Sequence, residues 1–123
     1  MLKHKSLIAA LLIAGCIQNG EVQNPETEAA SSQSIRLHVG CCLYMADKFL
    51  SSKETAQTIG LAAATACASE SIKSIDAQLA HAKATSSRGV YNRLLVRQGE
   101  MQRNQDELCS LSALRYVVSK RSE

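Results

Sequence analysis

Four cysteines constrain the fold of this 123-residue chain more than any other feature: Cys41 and Cys42 are adjacent, and Cys67 and Cys109 stand apart. Adjacent cysteines rarely bond each other, because the eight-membered ring that they would close is strained. On a helix, their side chains point about 100° apart and can face two different neighbours. If all four are oxidised, one of the pair bonds Cys67 and the other bonds Cys109, and the sequence leaves both pairings open.

The N-terminal segment indicates that these cysteines meet an oxidising compartment. Lys3, His4 and Lys5 precede an uncharged apolar run at 7–13, and small residues follow. A positive head, a short apolar core and a small-residue exit are typical of a secretory signal peptide. The core is shorter than the roughly 20 residues that span a bilayer. Because disulfides persist outside the cytosol and a small Ala-rich core needs cross-links, we predict that the four cysteines are bonded.

The exit of this segment, Ile13-Ala14-Gly15-Cys16, resembles the lipobox of bacterial lipoprotein signal peptides. The resemblance covers only the signal segment. It implies that residues 1–15 are removed and that Cys16 is acylated, which would hold the chain in the bacterial cell envelope by a lipid anchor, facing the periplasm. Ile17 stands where an aspartate would indicate inner-membrane retention, so the outer membrane is favoured. The alternative is an ordinary cut after Cys16, which would release a secreted protein without an anchor.

Net charge gives little support to nucleic-acid binding. The full chain has 14 basic and 11 acidic residues, a formal charge of +3. Loss of residues 1–15 removes Lys3 and Lys5, which leaves 12 basic against 11 acidic residues and a charge of +1. A basic run remains at Lys83, Arg88, Arg93, Arg97 and Arg103. Such a run usually forms a solvated helix face, and its alternative role is a contact patch for lipid phosphates, a sugar polymer or an acidic protein surface.

Composition and periodicity predict an all-α domain. Aromatic residues make up 3% of the chain and Pro25 is its one proline, which favours helices over sheets. Residues 16–34, the acylated cysteine and a polar stretch, are predicted to form a flexible tether. Residues 35–123 are predicted to form a small three-helix antiparallel bundle built on a long helical hairpin and stapled by disulfides. Its helices are expected at about 35–50, 52–84 and 90–119.

Apolar residues spaced by three and four define the predicted inward face of each helix. In the first helix this face comprises Ile35, Val39, Cys42, Ala46 and Phe49. Residues 35–43 also alternate as a strand would, but the helical pattern continues to Phe49. In the second helix the face comprises Leu61, Thr65, Ala68, Ile72, Ile75, Leu79 and Ala82. In the third it comprises Leu94, Met101, Leu108, Leu111 and Val118.

Local signals mark where these helices begin and end. Ser51 and Glu54 fit a capping box at the start of the second helix. The stretch 85–89 fits a turn between the second and third helices. We interpret the third helical region as one long helix, with a split near Asn104 as the alternative.

No motif for catalysis or cofactor binding is present in the sequence. His38 lies one helical turn from Cys41 and Cys42, but no third orienting group and no C-x-x-C spacing accompany these residues. His38 and His81 are therefore interpreted as polar-face residues, and no catalytic residue, cofactor or metal ligand is predicted. We expect a non-catalytic accessory protein that binds an envelope protein and no nucleic acid. The alternatives are a structural spacer or self-associating component, and then an enzyme with an unrecognised site.

Overall fold

Helices form all of the regular structure in the part of the chain that the structure describes. The computed structural model describes residues 22–123, in which the helices are α1 (Pro25–Lys48), α2 (Ala56–Ala66), α3 (Ala68–Thr85), α4 (Arg88–Val96) and α5 (Gln98–Arg121). The all-α prediction is confirmed, whereas the predicted count of three helices is wrong. Among residues 22–123, none of the helices combines the length and the apolar character that crossing a membrane requires.

The chain runs forward along α1, back along α2 and α3, and forward again along α4 and α5. α1 and α5 are parallel, because Cys42 is bonded to Cys109 and, further along both helices, the Tyr116 hydroxyl donates to Asp47 Oδ1 at 2.7 Å. α2 packs on α5, and α3 packs on α1. This path brings the middle of α1, the junction of α2 and α3, and the middle of α5 together at the level of the cysteines.

The two long helices that the sequence predicts at 52–84 and 90–119 are each broken at one residue. Cys67 (φ −99°, ψ 13°) separates α2 from α3, and Arg97 (φ −93°, ψ 8°) separates α4 from α5. At the second break the Arg97 guanidinium donates to both carboxylate oxygens of Glu100, at 3.0 and 3.1 Å. The paired carboxylate lies in the first turn of α5, where a negative charge favours a helix start. The alternative split near Asn104 is wrong, because α5 is continuous there.

Residues 25–34, predicted as part of the tether, form the beginning of α1. Asn24 caps the helix, and its Oδ1 accepts the Thr27 backbone N–H at 3.1 Å. Pro25 occupies the first turn, which favours a helix start. Thr27 Oγ1 also shares a hydrogen bond with His81 Nδ1 on α3 at 2.9 Å. The tether prediction is wrong for 25–34, because capping and contacts with α3 compensate for the lack of large apolar side chains.

The loop between α1 and α2 is held by the last turn of α5. Thr55, not Ser51, is the N-cap of α2, and its Oγ1 accepts the Thr58 N–H at 3.2 Å. The predicted capping box at Ser51 is therefore wrong. The Arg121 guanidinium donates to three loop carbonyl oxygens at 2.8 to 3.3 Å, those of Leu50, Ser52 and Glu54.

Small side chains fill the centre of the molecule. One buried cluster joins α1, α2 and α5 and consists of Ala46, Ile59, Ala63, Ala113 and Val117. A second consists of Cys42, Cys67 and Cys109. The three alanines of the first cluster each remove little apolar area from water and so contribute little to stability by burial, whereas Ile59 and Val117 contribute more. The two disulfides add covalent links from α1 to Cys67 and to α5.

Most of the large apolar residues that were predicted to face inward on α1 and α5 lie at the surface, although Phe49 and Met101 are partly buried. Leu108 is 63% exposed, Leu111 48% and Val118 49%. Ile35 and Val39 on α1 are likewise exposed. The buried positions of α5 are Cys109, Ala113 and Val117. α5 is thus turned so that its small side chains face the core.

The predicted inward face of 52–84 is correct only in its second half. Ile75, Leu79 and Ala82 on α3 are buried, whereas Leu61 and Ile72 are more than half exposed. The break at Cys67 separates Leu61 from the buried face of α3, and on α3 itself Ser71 and Ser74, not Ile72, continue that face before Ile75. Leu61 on α2 and Ile72 at the start of α3 therefore lie at the surface, whereas Ile59 on α2 is buried.

Gly60 marks a close approach of α2 and α5. A Cβ atom at this position would lie 2.5 Å from the backbone oxygen of Ser110 and 3.1 Å from its Oγ. Glycine is needed here because it lets the two backbones come this near.

Candidate functional site

Two disulfides join α1 to the rest of the molecule at one level. Cys41 is bonded to Cys67 at the α2–α3 break, with a Cα–Cα distance of 5.9 Å. Cys42 is bonded to Cys109 on α5, with a Cα–Cα distance of 5.5 Å. The prediction that the adjacent pair bonds the two distant cysteines is confirmed, and the pairing that the sequence left open is decided. All four thiols are thereby committed and supply no nucleophile in this state.

His38 is buried next to the second disulfide, not on a polar face. It precedes Cys42 by one turn of α1 and is only 5% exposed. Its Nε2 atom has no hydrogen-bond partner among residues 22–123. Burial lowers the pKa of His38 below its ordinary value of 6.5, and the carboxylates of Asp106 and Glu70 oppose part of this shift. The imidazole is therefore held in its neutral form at neutral pH.

A cavity of about 90 Å³ lies between α1 and α5 at this histidine. It is lined by Ile35, His38, Val39, Cys42, Gln105, Leu108, Cys109 and Ser112. Gln105 Nε2 donates to Ser74 Oγ on α3 at 3.3 Å, while its Oε1 has no partner within the described residues. The cavity thus has apolar walls, two sulfur atoms and two buried polar atoms. Two pairs stand four residues apart in the sequence: His38 with Cys42, and Gln105 with Cys109. This spacing could have indicated the site, but the inward faces were predicted from large apolar residues instead.

An apolar surface surrounds the mouth of this cavity and crosses α5. Leu108 lies on the α1 side of α5, and Leu111, one turn further, lines a wider groove of about 780 Å³ between α2 and α5. Residues three apart on a helix are neighbours, so the two leucines connect the cavity with the groove. We call the resulting patch the α5 apolar surface, which comprises Ile35, Val39, Leu61, Leu108 and Leu111. Asp106 and Glu107 line one part of the groove and give it an acidic border.

The basic run lies away from this surface and is distributed over several elements. Arg88 and Lys83 line a shallow groove at the turn between α3 and α4. Arg93 lies on α4, Arg97 is paired with Glu100, and Arg103 lies on α5 beyond the break. All four arginines are exposed, and an anionic contact patch formed by them stays a prediction.

The predicted lipidation site, Cys16, and the signal peptide lie outside the described residues, as do residues 17–21 of the predicted tether. His81, predicted on a polar face, is partly buried and bonded to Thr27. Comparison of the chain with protein families, with curated proteins and with solved structures finds no match. The α5 apolar surface and the cavity beside it are therefore the features from which a function is argued.

Proposed function

We propose that this chain is a lipid-anchored accessory protein of the bacterial cell envelope that binds another envelope protein through the α5 apolar surface. The lipobox-like segment ending at Cys16 supports the anchor and the periplasmic side, and the resemblance favours the outer membrane. The exposed leucines support binding as the mode of action. In this proposal the basic run at 88–103 forms a second contact, which binds an anionic group.

The observation that carries the binding role is the exposure of large apolar side chains over a core that is rich in alanine and cysteine. Leu108 is the most exposed of the five members of the α5 apolar surface, at 63%. A single exposed leucine is common in proteins. Five neighbouring apolar residues around a cavity and a groove, with an acidic border, are typical of a surface that a partner covers.

The alternatives make different use of the same surface. A self-associating component would cover it with a second copy, and a passive spacer would leave it uncovered and gain nothing from it. An enzyme has weaker support, because the four cysteines of the described domain are bonded and the buried polar groups nearest to them are a neutral imidazole and an amide.

The anchor is tested by metabolic labelling with a palmitate analogue. The wild-type chain should be labelled and fractionate with membranes, and Cys16→Ser should lose the label. Absence of label in the wild-type chain, together with release from membranes, would refute the anchor but not the binding surface.

The surface is tested by cross-linking and capture from detergent-solubilised envelopes. The double variant Leu108→Gln/Leu111→Gln removes the centre of the α5 apolar surface while keeping good helix formers. Ile72→Gln is the matched control, because the exposure of Ile72, 52%, lies between those of the two leucines and Ile72 lines neither the cavity nor the groove. We expect one protein to be captured by the wild type and the control and lost with the double variant.

The molar mass in solution separates the alternatives. A wild-type dimer that becomes a monomer in the double variant would favour self-association. A monomer whose captured proteins are the same with and without the two leucines would refute binding through this surface and leave the spacer.

A further inference from the structure

Three metal-binding side chains converge in the cavity between α1 and α5. The ligand atoms of His38, Cys42 and Cys109 all lie within 4.8 Å of one another. His38 Nε2 is buried and has no hydrogen-bond partner among the described residues, and it belongs to a side chain that lines the cavity. In the disulfide-bonded protein the sulfurs are unavailable as thiolates, so this convergence has a use only when the bond is open.

We propose that opening of the Cys42–Cys109 disulfide by a dithiol creates a Zn²⁺ site formed by the two thiolates and His38 Nε2. The dithiol supplies two electrons and two protons and becomes a disulfide, while Cys42 and Cys109 become thiols. On binding, the two thiols release two protons to solvent and one Zn²⁺ takes their place. The ion then links α1 to α5 where the covalent bond did before.

The geometry suits a tetrahedral ion with soft ligands. Zn–S bonds of about 2.3 Å and Zn–N bonds of about 2.0 Å place neighbouring ligand atoms roughly 3.3–3.8 Å apart. The two sulfurs, which a covalent S–S bond holds about 2 Å apart, must separate by roughly 1.7 Å to reach this spacing when the disulfide opens. The His38 nitrogen, which lies within 4.8 Å of both sulfurs, must approach each of them to about 3.5 Å. Gln105 Oε1, which lines the same cavity and has no partner in the described region, is available as a fourth ligand.

The surroundings of His38 favour a cation over an empty reduced site. Asp106 and Glu70 act on the imidazole as negative charges, and Ile35, Val39 and Leu108 give the cavity an apolar lining. A neutral imidazole is the form that binds metal. Zn²⁺ would also satisfy the buried Nε2 atom, which is unfavourable when left without a partner.

The test uses the full chain with Cys16→Ser, Cys41→Ser and Cys67→Ser, so that Cys42 and Cys109 are its only thiols. The protein is unfolded and reduced with a phosphine, refolded without oxygen, and titrated with Co²⁺ as a spectroscopic probe. We expect one Co²⁺ per chain, with thiolate-to-metal charge-transfer bands and tetrahedral d–d bands that Zn²⁺ removes. The oxidised form of the same variant should give neither set of bands.

Two histidine variants decide whether the site is the proposed one. Adding His38→Gln should weaken Zn²⁺ binding at least about tenfold, whereas His81→Gln should leave it unchanged because His81 binds Thr27 instead. Absence of thiolate–Co²⁺ bands, or equal affinity with and without His38, would overturn the proposal.

Folding of the reduced chain is followed by far-ultraviolet circular dichroism. If the reduced chain is unfolded without metal, Zn²⁺ should restore its helical signal, because binding energy is then folding energy. A chain that stays unfolded with Zn²⁺ would also overturn the proposal.

Discussion

Gly60→Ala tests whether α2 and α5 approach as closely as the structure indicates. The new methyl group would lie 2.5 Å from the Ser110 backbone oxygen, a separation below 3.0 Å that side-chain carbons essentially never show. The obstacle is backbone, so the helices must move apart. This movement would disturb the buried cluster that contains Ala63 and Ala113.

The expected loss combines two opposing terms. Overpacking of this kind costs about 1–3 kcal/mol, and a backbone obstacle places Gly60→Ala near the upper end of that range. The gain in helix propensity from glycine to alanine offsets about 1 kcal/mol. We therefore expect a net destabilisation of about 2 kcal/mol, which lowers the Tm of a domain of this size by about 10 °C.

The assay is thermal and urea unfolding of the oxidised protein, followed at 222 nm. Gly40→Ala is the matched control, because Gly40 lies within α1 and an added Cβ would meet nothing within 4 Å. The control should gain about 1 kcal/mol from propensity alone. If Gly60→Ala is as stable as Gly40→Ala, the close approach of α2 and α5 is refuted.

Three further predictions concern the cross-links and the buried histidine. Replacing Cys42 and Cys109 by serine should destabilise the protein more than removing the other disulfide. In the loop-entropy model the separation of 67 residues corresponds to about 4.4 kcal/mol and that of 26 residues to about 3.5 kcal/mol. Equal urea midpoints for the two double variants would contradict this ranking. In Arg121→Lys the ammonium group cannot reproduce the planar guanidinium that holds the α1–α2 loop. Tm should fall by several degrees and amide exchange in 49–55 should accelerate. Unchanged exchange would show that the guanidinium contacts are dispensable. The pKa of His38 is lower in the folded than in the unfolded protein, so the stability that its neutral form provides is complete above about pH 6.5 and is lost as the pH falls through the folded pKa. His38→Gln should therefore flatten the dependence of the urea midpoint on pH between about 7 and 5. An identical slope in both proteins would rule out this histidine as the cause.

The sequence predicts the helix content and the bonding of the adjacent cysteines to the two distant ones, but neither the choice between the two pairings nor the rotation of the helices. On α5, a stripe through Leu108 and Leu111 and a stripe through Cys109 and Ala113 have nearly the same periodicity. Periodicity alone therefore cannot decide which faces inward, and side-chain size favoured the leucines. The partner helices decide for the smaller residues, because the disulfide to Cys42 fixes that face of α5 against α1.

The start of α1 and the buried histidine were missed for related reasons. The first ten residues of α1 lack large apolar side chains, so hydrophobicity predicted a tether, although Asn24 and Pro25 are strong local signals of a helix start. His38 was assigned to a polar face by residue type. Its position one turn before Cys42 indicates burial only once Cys42 is known to bond Cys109 on α5. The sequence leaves the partner of Cys42 open, so the burial of His38 could not be predicted from it.

The adjacent cysteines also fix the rotational phase of α1. Exchanging their partners, so that Cys41 bonded Cys109, would require α1 to turn by about 100° about its own axis. Such an isomer would keep the same helices and the same number of disulfides, yet it would carry His38 out of the interior and bring other side chains to the surface. Two preparations with indistinguishable circular dichroism could therefore present different faces of α1 to a partner.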